Sequence, residues 1–245
     1  MEWTDDAIVL SVRAHGETSA IVEALTRHHG RHLGLVRGGG SRKAKPVLQP
    51  GNSVQLHWRA RLADHLGNYA VEPVRARAGE MLEDRERLIG LNAFTAIARA
   101  GLPERETHAN VHEAAEILLD AMLTQEFLHW APLFVRWEAG LLEALGFGLD
   151  LSRCAATGST DDLIYVSPKS GRAVSRVGGA DYKDRLLPLP GFLLASQNAQ
   201  VSRAEVAQGL ALTAYFLLER VLQPNGRDLP PARQRLAELA LRESL

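Results

Sequence analysis

The sequence predicts an α+β protein in which a small five-stranded barrel is followed by helices, and three observations carry that prediction. From Ala7 to about residue 75, side chains alternate apolar and polar with period two. From Glu80 the apolar spacing becomes helical. Between Asp150 and Pro190 both periodicities vanish in a stretch rich in turn formers.

The first strand is IVLSVRA, with Ile8, Leu10 and Val12 on one side and Val9, Ser11 and Arg13 on the other. SAIVEALTRHHG and RHLGLVRGG follow as two strands joined through Gly30. VQLHWRAR alternates most cleanly: Val54, Leu56, Trp58 and Ala60 face a core, while Gln55, His57, Arg59 and Arg61 face away. NYAVEPV makes a fifth strand, which Pro73 ends or confines to an edge. Five short strands with glycine-marked turns predict a closed or partly closed barrel.

In the helical region, Val111, Ala114 or Ala115, Leu118 and Met122 share one face. LFVRWEAGLLEALGF is apolar nearly all round and reads as an interior helix ending at Gly146 or Gly148. Pro103 and Pro132 are expected to separate helices. The turn-rich stretch 150–190 has room for at most two short strands. Ser202 and Glu205 form a capping box opening a helix through Val206, Leu210, Thr213, Leu217 and Val221. Pro230 and Pro231 open a last helix carrying Leu236, Leu239 and Ala240. The expected domains are a barrel over 1–79, a helical domain over 80–149 and 191–245, and an irregular insertion over 150–190.

The chain has 245 residues, 46% hydrophobic and 23% charged, with a net charge of −1. That is the composition of a protein with a real core, and no overall field marks a nucleic-acid partner. The charge is unevenly placed. From Ala7 to Ala63 nine Arg and Lys face only two acids, Glu17 and Glu23. The single cysteine, Cys154, excludes an internal disulfide and any multi-cysteine metal site. The acidic start MEWTDD is unlike a signal peptide, and apolar runs such as LALTAYFLL fall short of a membrane span. A soluble, cytoplasmic protein with no membrane association is expected.

The stretch GLVRGGGSRKAK poses the functional question. Its glycines match neither a Walker phosphate loop nor a dinucleotide fingerprint, which need other spacings. By itself it is either a solvated tip or a loop that wraps a phosphodiester backbone. The surrounding cations favour the second reading. Arg59 and Arg61 share the non-core face of one strand and Arg13 that of another, so a basic loop crowns a basic barrel surface. Such a surface suits single strands, with sequence-independent, salt-sensitive affinity. Aromatics for stacking are few, since Trp58 falls on the apolar face and leaves mainly Tyr69.

No catalytic constellation emerges. His28 and His29, adjacent on a strand, point to opposite faces and do not share an ion; with His32 they read as additions to the basic surface. Cys154 has no histidine after it to act as base, and no G-x-S-x-G is present. Asp161, Asp162, Asp181 and Asp184 sit where solvated turn residues are expected. The reading is a binding protein, with no enzyme activity, no cofactor and no bound metal.

In order, VRGGGSRKAKPVLQPG, FVRWEAGLLEALGF, CAATG and YVSPKSGRAVS resemble the RecO family of bacterial recombination mediators, and the resemblance spans nearly the whole chain. It implies an amino-terminal OB-fold barrel, a helical domain and a small zinc-finger-like insertion. It also implies binding of single- and double-stranded DNA, annealing of complementary strands, and action with RecR in loading RecA onto DNA covered by single-stranded DNA-binding protein. A location at the bacterial nucleoid goes with that role. The family's zinc pattern is a Cys-x-x-Cys followed by a second cysteine pair. Here Thr157 stands at the second position and AVSRV offers no cysteine, so the insertion is expected to lack its zinc ligands.

Carried across, the DNA surface falls on Arg37, Arg42, Lys43 and Lys45, joined by Arg13, Arg31, Arg59 and Arg61 from the face argument. Arg136, in FVRWEAGLL, matches the site for the acidic carboxy-terminal tail of single-stranded DNA-binding protein; the alternative is a cation snorkelling from a buried helix. Two rival functions stay open at this point: an RNA-binding OB-fold protein of translation or RNA metabolism, and a nuclease using Asp161 and Asp162.

Overall fold

The computed structural model describes residues 1–194 and 201–242. Of the stretch 191–245 expected to be helical, positions 195–200 and 243–245 lie outside the described residues. The chain divides into two compact units, Met1–Thr124 and Gln125–Leu245.

In the first unit, β1 (Glu2–His15), β2 (Ser19–Thr26), β3 (Gly30–Val36), β4 (Ser53–Arg59) and β5 (Asn68–Arg75) close into a barrel of order β1-β2-β3-β5-β4. β1 also pairs with β4, β3 with β5 in parallel, and every other pairing is antiparallel. This is the strand order of an OB-fold. Ala7, Val9, Val22, Ala24, Val36, Leu48, Val54, Leu56, Trp58 and Tyr69 fill the interior. For β4 the inward residues are the ones its alternation marks.

β1 departs from its expected faces. A bulge between Val9 and Ser11 shifts its register, so the inward set runs Ala7, Val9 and then Val12. Ile8 and Leu10 lie on the outer face, yet both are buried. The reason is cover: α2 (Arg85–Gly101) and α3 (Ala109–Thr124) pack on β1, and α3 also on β2. The short α1 (Ala78–Leu82) leads into them. Arg77, just before α1, is buried and bonds Glu116 (2.5 Å) and Asp120 (2.7 Å) of α3 and Ser53 of β4 (2.5 Å). That network ties the helices to the barrel wall.

In the second unit, α4 runs Phe127–Ala144 and contains Pro132. Proline was expected to break this segment; instead it sits in the second turn of a buried helix, where packing outweighs one lost hydrogen bond. α5 (Arg203–Phe216) begins at the expected capping box, with Ser202 Oγ accepting from the Glu205 amide and the Glu205 carboxylate accepting from the Ser202 amide. It continues through a wide turn, Leu217–Leu222, and α6 (Pro231–Leu241) starts on proline. Three side chains join these helices: the Arg233 guanidinium donates to Glu138 at 2.5 and 2.8 Å, and the Thr213 hydroxyl donates to Glu138 at 2.5 Å, all fully buried.

The insertion holds three strands where at most two were expected: β6 (Leu163–Val166), β7 (Ala173–Ser175) and β8 (Leu187–Pro188), in the order β7-β6-β8. A strand of two residues has no period to read.

Candidate nucleic-acid interface

The basic loop leaves β3 at Arg37 and is closed by its own backbone. The Gly39 amide donates to the Val36 carbonyl (3.2 Å), the Gly40 amide to Thr18 across the barrel end (2.9 Å), and the Ser41 amide to Gly38 (3.0 Å). Ser41 Oγ then accepts from the Ala44 amide (3.2 Å), and a helical turn follows, with Lys45 donating to Ser41 and Leu48 to Ala44. The result is an internally bonded turn. Its Ala44, Val47 and Leu48 pack against the barrel core while Arg42, Lys43 and Lys45 stay exposed.

Between this loop and the strands lies a cleft of about 1280 Å³. Arg37, Lys43 and Arg59 line it together, above Trp3, Trp58, Tyr69, Val47, Leu48 and Val71. Arg13, at the far end of β1, and Arg61, past the end of β4, are exposed but outside the cleft lining. Arg31 is not at the surface. It is buried, with Nη1 donating to Glu23 (2.5 Å) and Nε to the Leu102 carbonyl (2.8 Å). Glu23 also accepts from Arg99 (2.6 Å) and Ser11 (2.9 Å). Burial raises the Glu23 pKa, but these three donors outweigh it and hold the carboxyl below its usual range.

The cleft floor is more aromatic than the sequence led one to expect. Trp3 stacks on Trp58 with ring centroids 5.5 Å apart and on His29 at 4.1 Å. It goes unnoticed in the sequence because MEWTDD reads as an acidic terminus, whereas β1 already begins at Glu2. Tyr69, expected to be available for stacking, is instead buried, its hydroxyl 2.8 Å from His32 Nδ1. Gly34 makes room for it: a Cβ there would stand 2.4 Å from the Tyr69 ring.

The histidines also differ from expectation. His28 and His29 fall in the β2–β3 turn rather than on a strand, and both bring Nδ1 to Asp5, at 2.9 and 2.8 Å. Burial raises the Asp5 pKa; hydrogen bonds from His29 and His28 overcome this and lower it. His32 adds nothing to the basic surface, since burial, with Arg105 nearby, holds its pKa down to about 4 and keeps it neutral.

A basic cleft on a five-stranded OB barrel, followed by a helical unit with a small inserted sheet, agrees with the comparisons. The family model described as Recombination protein O N terminal matches residues 1–77, and that described as Recombination protein O C terminal matches 82–228. The chain belongs to the RecO family. A DNA repair protein RecO of Cereibacter sphaeroides is 53% identical over 244 residues, covering 99% of both chains. One from Phenylobacterium zucineum is 54% identical over 95% of both. A third, from Rhodospirillum rubrum, is 51% identical over 97% of this chain and 96% of its own.

In this RecO chain Arg136 projects from α4 beside a pocket of about 480 Å³, lined also by Glu143, Leu149, Leu151, Leu193 and Leu194. Its Nε and Nη2 donate to the Phe192 carbonyl at 3.1 and 2.6 Å. This orients the guanidinium at the pocket wall. Asp162 pairs with Arg176 at 2.9 Å. Among the described residues no three of His, Cys, Asp and Glu converge to hold a metal, and no helix is long and apolar enough to cross a membrane.

Proposed function

We propose that this chain is a non-enzymatic mediator of DNA repair by homologous recombination, binding single- and double-stranded DNA on its barrel. The observation that carries the proposal is the cleft in which Arg37, Lys43 and Arg59 stand over an apolar and aromatic floor. Arg42, Lys45, Arg13 and Arg61 extend the cationic field around it. Arg31, being interior, is left out of the proposed surface. Phosphates of one strand meet the rim, and the same cations offset repulsion from a second strand, which lets complementary strands anneal. The relatives' name, DNA repair protein, supports this direction.

The remaining steps follow the family. RecR joins the chain in helping RecA onto DNA covered by single-stranded DNA-binding protein. That protein's acidic, apolar carboxy-terminal tail docks at Arg136: the guanidinium takes a carboxylate, and Leu149, Leu151, Leu193 and Leu194 take an apolar side chain.

The test is an annealing assay on two complementary labelled oligonucleotides beside a binding titration on each strand. Binding that weakens steeply between about 50 and 200 mM salt, with faster annealing, is expected. No detectable single-strand binding at low salt would overturn the proposal. A preference for structured RNA over DNA in competition would move the protein to RNA metabolism.

A further inference from the structure

The insertion contains two turns of one design, facing each other. In the first, Cys154–Gly158, the Thr157 amide donates to Cys154 Sγ (3.4 Å) and the Gly158 amide to the Cys154 carbonyl (2.9 Å). In the second, Ser175–Gly179, the Gly178 amide donates to Ser175 Oγ (3.2 Å) and the Gly179 amide to the Ser175 carbonyl (2.9 Å). In each, the first side chain accepts from the fourth amide, and the fifth residue is glycine. The turns meet at sulfur: the Ser175 amide and hydroxyl both donate to Cys154 Sγ, at 3.2 and 3.3 Å. A Cβ on Gly178 would lie 2.9 Å from that sulfur and 3.2 Å from Ser175 Oγ. Positions 154, 157, 175 and 178 thus surround one point.

Their spacing, two residues between the members of each pair, is that of a four-thiolate zinc ribbon. The residues do not fit the metal. Zinc takes four thiolate, imidazole or carboxylate ligands, and of these positions only Cys154 offers one. The missing Cβ of Gly178 admits the Cys154 sulfur between the two turns.

We propose that this insertion is a zinc ribbon built without zinc, in which the Cys154 sulfur, by accepting three hydrogen bonds, joins the two turns that a metal ion would otherwise join. The Thr157 amide, the Ser175 amide and the Ser175 hydroxyl all donate to the sulfur, so it serves as a common acceptor as a metal serves as a common Lewis acid. Two consequences follow. The native insertion folds without metal, unlike ribbons whose folding is coupled to zinc. The four positions nevertheless keep ligand geometry, so cysteines placed there bind metal.

The test uses the full chain and two variants, Thr157→Cys/Ser175→Cys/Gly178→Cys and Thr157→Cys/Ser175→Cys, probed with cobalt(II) and zinc(II) alone. The native chain is expected to carry no stoichiometric zinc and to melt at the same temperature with or without EDTA. The triple variant should take up one metal per chain, show the visible bands of tetrahedral cobalt thiolate, and lose thermal stability in EDTA. The double variant leaves Gly178 intact and supplies three thiolates with a water as fourth ligand, so it reports even if the triple variant fails to fold. Stoichiometric zinc in the native chain, or no metal uptake by either variant, overturns the proposal.

Discussion

Arg31 and Glu23 form an ion pair of 2.5 Å inside the barrel's helical cover, each side chain less than one-tenth exposed. Arg99 completes the cluster from α2. Removing one member of a buried pair costs about 3–5 kcal/mol where the other charge is left alone; Arg99 and Ser11 still bond Glu23, which puts the loss of Arg31 at the lower end, about 3 kcal/mol. Arg31→Ala should therefore lower unfolding free energy by roughly that amount in urea denaturation. Affinity of the folded variant for a single-stranded oligonucleotide should stay within about twofold of the native chain. A tenfold loss would return Arg31 to the DNA surface.

The rim cations have the opposite profile. Arg37, Lys43 and Arg59 are exposed at the cleft, so replacing them should cost little stability and much affinity. Each phosphate contact contributes about 0.7 to the slope of log K against log salt for single strands. Arg37→Ala/Lys43→Ala/Arg59→Ala should flatten that slope by about 2, measured by fluorescence anisotropy across a salt series. An unchanged slope would place the phosphates elsewhere.

Acid sensitivity follows from His32. Its folded pKa is about 4 against an ordinary 6.5, so between those values the unfolded chain binds more protons. Stability is thus present above about pH 6.5 and falls as pH drops towards about 4. His112, also buried and depressed, acts in the same direction, as do Asp5 and Glu23 at lower pH. His32→Leu strands the Tyr69 hydroxyl and should melt lower at neutral pH, yet lose less on acidification than the native chain. An equal loss in both would show that the His32 proton is not linked to folding.

Arg136 separates partner binding from DNA binding. Arg136→Glu should abolish binding of an acidic, apolar carboxy-terminal tail peptide in a calorimetric titration while leaving oligonucleotide affinity within about twofold. Arg136→Lys keeps the charge but loses the planar fork, and should retain only part of the peptide affinity. Native affinity in the Glu variant would rule out this pocket.

Local spacing made much of this protein legible. Val54, Leu56 and Trp58 point inward as their alternation says, Ser202 and Glu205 cap α5, and Pro231 opens α6. Set against the family's cysteine pattern, Cys154 and Thr157 also show that the zinc ligands are incomplete. Other features could not be read that way. The β1 bulge re-aims Val12 without any mark in the residue types. Ser175 and Gly178 look like ordinary turn residues until the fold brings them to the Cys154 sulfur.

Period, caps and charge are properties of neighbouring residues, and they suffice for the barrel-then-helix order and the basic zone; the order of the motifs suffices for the family. Which outward side chain meets water depends on packing between distant segments. Arg31 and Arg59 occupy equivalent outward positions on β3 and β4, yet one is buried beneath the segment after α2 and the other lines an open cleft. The difference lies in what is laid over each strand. That cover comes from residues some seventy positions away, whose placement no local pattern encodes.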